Sequence, residues 1–343
     1  MIGTYVLSVY HEMAQNSSIT QGEDYRTVYI LLAVLTGGLI SVMIKANGVL
    51  QASTGAVAAL LIIHLSGLTA AAAYTLTGAL RSGRRSAHKS PASAPGATRA
   101  PWWFLGAGTL GVVVVFAGNA VYSRGGVVLT LMGTLAGQAG AAWILEKSRW
   151  FDGRKSPATQ RLLSLLLILP GTALFGAASG VGALWIALSW LPGIFLMVQS
   201  MMNSRNVLRF GQPVMLLSNY ASALVIIACL LLLHPEILRG AAARAAQLPV
   251  YLLLGGGVLG VMVIALSSFL FNRAAALQVV LGIYAGQLGV GILIDVVSGR
   301  PLSAATVAAV AMVMTGLGAG ELRRRQPMIP TDVLTAGTSE ERE

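Results

Sequence analysis

The segment 106–146, GAGTLGVVVVFAGNAVYSRGGVVLTLMGTLAGQAGAAWILE, returns at 255–295 as GGGVLGVMVIALSSFLFNRAAALQVVLGIYAGQLGVGILID. At one constant offset and without a gap, Gly106, Gly111, Arg124, Gly137 and Gln138 fall on Gly255, Gly260, Arg273, Gly286 and Gln287, and Glu146 falls on Asp295. Chance matches a few glycines between two Ala/Gly-rich helices. It rarely puts an Ala-Gly-Gln triplet, an arginine and a terminal acid into one register. Internal repetition limits the fold more tightly than composition, because each copy must build the same unit. Each copy reads as two apolar helices joined by a tight turn, Ser123-Arg124-Gly125 in the first.

Those helices lie in a membrane. Only 10% of the 343 residues are charged and the mean hydropathy is +0.74, where a soluble domain carries about a quarter charged residues. Apolar runs of the ~20 residues needed to cross roughly 30 Å of hydrocarbon recur along the whole chain. They fall at about 28–49, 54–80, two within 106–146, 161–178, 181–202, 213–233, 250–271, 275–295 and 302–320. The single cysteine, Cys229, lies inside one of these runs and reads as packing. Residues 1–27 have no basic segment ahead of an apolar core and read as a short polar leader rather than a cleaved signal. The reading is an all-α integral membrane protein: leader 1–27, first five-helix repeat 28–178, second five-helix repeat 179–321, cytoplasmic tail 322–343.

Five crossings per repeat is an odd number, so the second repeat enters from the opposite side and the halves are inverted. With the N-terminus in the cytoplasm, 18 of the 23 Lys and Arg residues fall in cytoplasmic segments. Cytoplasmic loops carry this excess, so both termini are expected inside. The net charge of +11 then marks orientation and not nucleic-acid binding.

The first parts of the repeats align more loosely. Setting Asn47 on Asn203 also sets Gly55 on Gly211, Ser66 on Ser222 and Thr36-Gly37 on Pro192-Gly193. Pro192 removes a backbone hydrogen bond from its helix, and Thr36-Gly37 is expected to weaken helix 1 at the matching depth. Paired Gly/Pro interruptions in inverted halves point to a transporter's binding site. These features resemble the YdcZ-type family of the drug/metabolite transporter superfamily, on Gly106/Gly108/Gly111, the Ala136-Gly137-Gln138 triplet and its copy, and Gln199 with Asn203. The resemblance covers nearly all of residues 30–320. It implies a ten-helix, EamA-like fold around a central cavity lined by helices 1, 3, 4, 6, 8 and 9. Met43 stands where the second half has Gln199, so the polar pair is broken on one side.

The candidate substrate-binding residues are Thr36, Asn47, Gln138, Ser189, Gln199, Asn203, Tyr284 and Gln287. Gln138 and Gln287 form a pair of amides, one per half, and an amide at mid-membrane depth needs partners. Interhelical bonding between the repeats accounts for them equally well. Gly133, Gly137 and Gly140 form a small-residue stripe that admits a neighbouring helix. His64, midway along helix 2, is the proton-coupling candidate, with a structural hydrogen bond as the plainer reading. Lys45 reaches the outer surface. Glu146 and Asp295 read as interface residues, Arg124 and Arg273 as headgroup contacts, and Asn219 and Tyr220 as weaker site candidates.

No Asp or Glu lies in the middle of any apolar run, which disfavours exchange of a proton for an organic cation. The sequence has no phosphate-binding loop, no Cys/His cluster at metal spacing and no nucleophile–base pair. It implies no cofactor, no enzyme and no nucleic-acid partner. The expectation is a secondary transporter in the bacterial inner membrane that moves a small neutral or zwitterionic metabolite by alternating access. The alternatives are a non-transporting sensor or partner subunit, and an exporter of organic cations. A homodimer is one admissible assembly.

Overall fold

The computed structural model describes residues 23–82, 101–145, 158–273, 276–300 and 303–322. Glu146, most of the leader and nearly all of the tail lie outside the described residues, as does the Arg273 side chain. All described elements are helical: α1 Glu23–Thr54, α2 Ala56–Ser82, a 3-10 turn Trp102–Ala107, α3 Gly108–Leu145, α4 Ala158–Ala178, α5 Ala183–Leu188, α6 Leu191–Phe210, α7 Gln212–Leu233, a 3-10 turn Pro235–Leu238, α8 Ala241–Ala246, α9 Val250–Arg273, α10 Ala276–Val297 and α11 Ala304–Leu322.

Seven of the described helical stretches are long and apolar enough to cross a membrane, and 165–178 and 304–316 are shorter apolar helices. Large apolar side chains stand exposed along them: Leu31, Leu35 and Val42 on α1, Val225, Leu232 and Leu233 on α7, Leu293, Val296 and Val297 on α10. Apolar surface on this scale suits lipid and not water. Cys229 lies on that surface and is exposed, so it is not the core residue expected from its apolar run.

α3 contains both helices of the first repeated segment. Gly126 breaks it at φ 76°, ψ −170°, a conformation that only glycine adopts cheaply. The chain doubles back there: a Cβ on Gly118 would stand 3.9 Å from the Thr130 side chain. A straight helix would hold these positions about 18 Å apart at ~1.5 Å per residue. The turn therefore falls at Gly126, just after the predicted Ser123-Arg124-Gly125. The main core gathers around the second arm, where Val127, Val128, Leu131, Met132 and Leu135 pack with Phe175 of α4, Leu288 of α10, and Ala309 and Val313 of α11.

The interruption at Pro192 is present and its expected partner is absent. The sixth predicted span divides into α5 and α6, and Pro192 sits in the first turn of α6, where a missing N–H costs nothing. α1 runs unbroken through Thr36-Gly37. The Thr36 hydroxyl donates to the Leu32 carbonyl of its own helix at 2.7 Å, so the pair leaves the α1 ladder intact.

The glycines of the two segments place helices against one another in matching pairs. A Cβ on Gly37 of α1 would collide with the backbone of Ile283 and Gln287 on α10, and one on Gly193 of α6 with the backbone of Thr134 and Gln138 on α3. Gly286 meets the Val34 backbone as Gly137 meets that of Trp190. Gly257 of α9 lies against Ile63 and Ser66 of α2, and Gly108 of α3 against Asn219 and Ser222 of α7. Each pair is the image of the other under the two sequence alignments. Such close approach is how membrane helices associate without a hydrophobic force between them.

Candidate functional site

Two sets of polar side chains are enclosed between these crossings. The first lies on α6 and α7. Gln199 Nε2 donates to Asn219 Oδ1 at 3.0 Å, and Asn203 Nδ2 approaches the same oxygen at 3.4 Å. Gln199 and Asn219 are buried and Asn203 is half-buried. The Gln199 side-chain amide lies against Gly111 of α3, where a Cβ would lie 2.8 Å from Nε2. Gly111 thus makes room for a glutamine that its own repeat lacks. The equivalent glycine of the second half, Gly260, faces Met43 Sδ and the Tyr220 hydroxyl.

The second set bridges the halves. Tyr284 of α10 directs its hydroxyl at Gln138 Oε1 on the second arm of α3, at 3.5 Å. Gln287, one turn on from Tyr284, is buried, and its backbone carbonyl accepts from the Ser41 hydroxyl at 2.6 Å. The oxygens Asn47 Oδ1, Asn203 Oδ1 and Gln287 Oε1 are buried with no hydrogen-bond donor among the described residues. A buried amide oxygen left without a donor costs about 1–3 kcal/mol, so these groups are poised to accept a hydrogen bond.

The other sequence candidates are distributed as follows. Thr36 and Ser189 are wholly buried; Thr36 donates within α1, and Ser189, in the turn that follows α5, donates back to the Ile186 carbonyl at 2.6 Å. Ser189 also packs against Gly133. Asn47 faces Gly256 of α9. His64 Nδ1 lies 2.8 Å from the Leu60 carbonyl, which can only accept, so Nδ1 carries a hydrogen. Its ring stands edge-to-face with Tyr220, centroids 6.1 Å apart. The stripe expected on the second arm of α3 is used at Gly133 and Gly137; Gly140 has nothing within 4 Å.

Asn219 was the weaker candidate by sequence and proves to be the acceptor that joins Gln199 to Asn203. The available signal was its alignment with Ile63, which marks a polar residue gained in one half only. Asp295 is also more than the expected interface residue. It is buried, and its two oxygens accept the backbone N–H groups of Val127 and Val128, both at 2.9 Å. A side chain of α10 thereby caps the second arm of α3 just beyond the Gly126 break, where a carboxylate also meets the positive end of the helix dipole. Lys45 ends on Ser298 Oγ at 3.0 Å and lies over the Tyr122 ring. The Arg124 guanidinium stacks on Trp185.

Lipid-facing helices, a repeated set of close crossings and enclosed amides define an all-helical integral membrane protein with polar groups held inside the bundle. The chain belongs to the YdcZ family of the drug/metabolite transporter superfamily: the family model, described as "Putative inner membrane exporter, YdcZ", matches residues 28–174 and again 184–319. The double match is the tandem duplication read from the sequence, and the family is one of transporters rather than enzymes. No curated protein matches. One solved crystal structure, described only as that of a protein, aligns over 89% of this chain and 100% of its own at 19% identity and TM-score 0.50; the likeness is of fold alone.

Proposed function

We propose that the protein is a secondary transporter that carries a small neutral or zwitterionic metabolite by alternating access between two inverted five-helix halves. The carrying observation is the image relation between the α1–α10 and α6–α3 crossings. Counting the two arms of α3 separately and including the shorter apolar helices gives the ten spans of this reading. The inversion has its own support. On α1, Asn47 lies near Lys45, which reaches Ser298 at the end of the bundle that holds the Gly126 hinge. Its image on α6, Asn203, lies near Asn206, which bonds the Phe104 carbonyl ahead of α3 at the opposite end. The hinge end faces outward in this reading, with both termini in the cytoplasm of an inner-membrane protein.

The enclosed candidates are amides, hydroxyls and a phenol. Gln138 and Tyr284 span the halves, so a solute bonded to both feels their separation. Gln199, Asn203 and Asn219 present a second polar face, and His64 Nε2 is the proton-accepting atom if transport is proton-coupled. Flux of radiolabelled neutral and zwitterionic metabolites into proteoliposomes tests the reading. Gln138→Ala combined with Gln287→Ala abolishes flux while the melting transition is retained. Undiminished flux with unchanged affinity in that double variant removes the assignment of the site.

A further inference from the structure

A cavity of about 180 Å3 lies at the hinge end, away from the enclosed amides. Its polar wall includes Asp295, Arg300, Ser179 and Thr306, and its apolar wall includes Phe175 and Val128. One water needs roughly 10–15 Å3 by the same measure, so the cavity has room for a small organic solute. The two charges in the wall form a loose ion pair with no hydrogen bond between them. Arg300 Nε stands 4.0 Å from Asp295 Oδ1, beyond hydrogen-bond reach. Asp295 accepts one bond at each oxygen, from the Val127 and Val128 amides, and a carboxylate has about four acceptor sites. The Arg300 guanidinium has five N–H donors, and its side chain's one hydrogen bond within the described residues is a 3.5 Å contact with the Arg124 carbonyl.

We propose that this cavity is a second binding station, which takes a small zwitterionic solute with its carboxylate on Arg300 and its ammonium on Asp295. A guanidinium fork suits a carboxylate and binds it with two parallel bonds. An amino acid holds opposite charges on one carbon, a spacing that suits two wall charges 4.0 Å apart. A solute with one charge displaces one partner of this ion pair and leaves the other without its counter-charge, which is costly. The solute's side chain rests on Phe175. Because Asp295 also caps the second arm of α3, an ammonium drawn to it competes with the Val127 and Val128 amides, and occupancy bears on the hinge. The proposal rests on the outward placement of the hinge end given above and adds a station distinct from the central amides.

Thiol protection tests it. Cys229→Ala removes the native thiol and Ser179→Cys places one in the cavity wall; Ser179 is exposed, so the exchange is small. The full-length protein in phosphatidylglycerol nanodiscs is labelled with an impermeant thiosulfonate, with and without L-leucine. Saturating L-leucine is expected to slow labelling about tenfold, the factor that follows when the solute is near ten times its dissociation constant. L-leucine methyl ester and N-acetyl-L-leucine, each lacking one charge, leave the rate unchanged. Arg300→Gln abolishes the protection, and Gln138→Ala with Gln287→Ala retains it. Absence of labelling, absence of protection, or equal protection by the ester or the N-acetyl compound overturns the proposal. Protection without solute in phosphatidylethanolamine nanodiscs overturns it too, since a lipid headgroup then occupies the cavity. Loss of flux in the central double variant with no protection at Ser179→Cys leaves the transporter reading standing and this one fallen.

Discussion

The α1–α10 crossing and the α6–α3 crossing use the same backbone and carry different side chains. At both, a glycine on each helix meets the partner's main chain, Gly37 with Gly286 and Gly193 with Gly137. Around the second crossing α6 and α7 add Gln199, Asn203 and Asn219, joined through one amide oxygen. The matching places around the first hold Met43, Asn47 and Ile63, and Asn47 alone is polar. Helix packing has stayed symmetric because a glycine pressed on a carbonyl tolerates no Cβ. Polar chemistry has diverged because a side chain can change wherever its neighbours leave room. On the alternating-access reading proposed above, the two crossings serve as like pivots and the polar faces beside them differ.

The sharpest way to break the comparison is at the pivots. Gly37→Ala and Gly193→Ala should be the most damaging changes and nearly equal, because each Cβ strikes a carbonyl at a helix crossing. Overpacking of this kind costs about 1–3 kcal/mol or more, read as lost melting temperature and monodisperse yield. A large difference between the two variants refutes the equivalence of the pivots.

The amide cluster and the hinge cap come next, where the halves differ. Asn219→Leu leaves Gln199 and Asn203 without their shared acceptor and should cost about 1–3 kcal/mol. Its image, Ile63→Val, should cost about 0.5–1.5 kcal/mol as a simple loss of packing. Denaturant titration in detergent compares them, and equal losses remove any special role for the cluster. Asp295→Ala exposes the Val127 and Val128 amides to an unpartnered interior and should cost a similar ~1–3 kcal/mol. Exchange of those two amides with deuterium should rise in that variant; unchanged protection there rules out the cap.

The smallest effect is expected at the rim. Lys45 reaches Ser298 and the Tyr122 ring from a half-exposed position. Lys45→Met should shift stability by no more than about 0.5 kcal/mol, measured by the same melts. A larger loss shows that the rim contacts help hold α1 to α10.

Particular residues show how far the sequence could be read. The glycine, AGQ and Asn47/Asn203 registers were legible because a close crossing demands a small residue at fixed places, and that demand survives duplication. Pro192 was legible as a helix break because its missing N–H acts locally. Thr36-Gly37 misled because a glycine in a helix is equally a weak point and a contact surface, and only a neighbour decides which. Asp295 was underread because its partners, the amides of Val127 and Val128, lie far away in sequence and become available only when Gly126 turns the chain.

The sequence by itself determined that the chain is membranous, duplicated and helical, since hydrocarbon thickness, backbone satisfaction and repeat register all act through local composition and spacing. Only the tertiary structure decided which polar groups meet. The linking role of Asn219, the reach of Tyr284 toward Gln138 and the pairing of Asp295 with the α3 hinge depend on separate helices coming within 3.5 Å or less. Hydrogen bonds have that short a reach, and no periodicity along one helix records what the next helix brings to it.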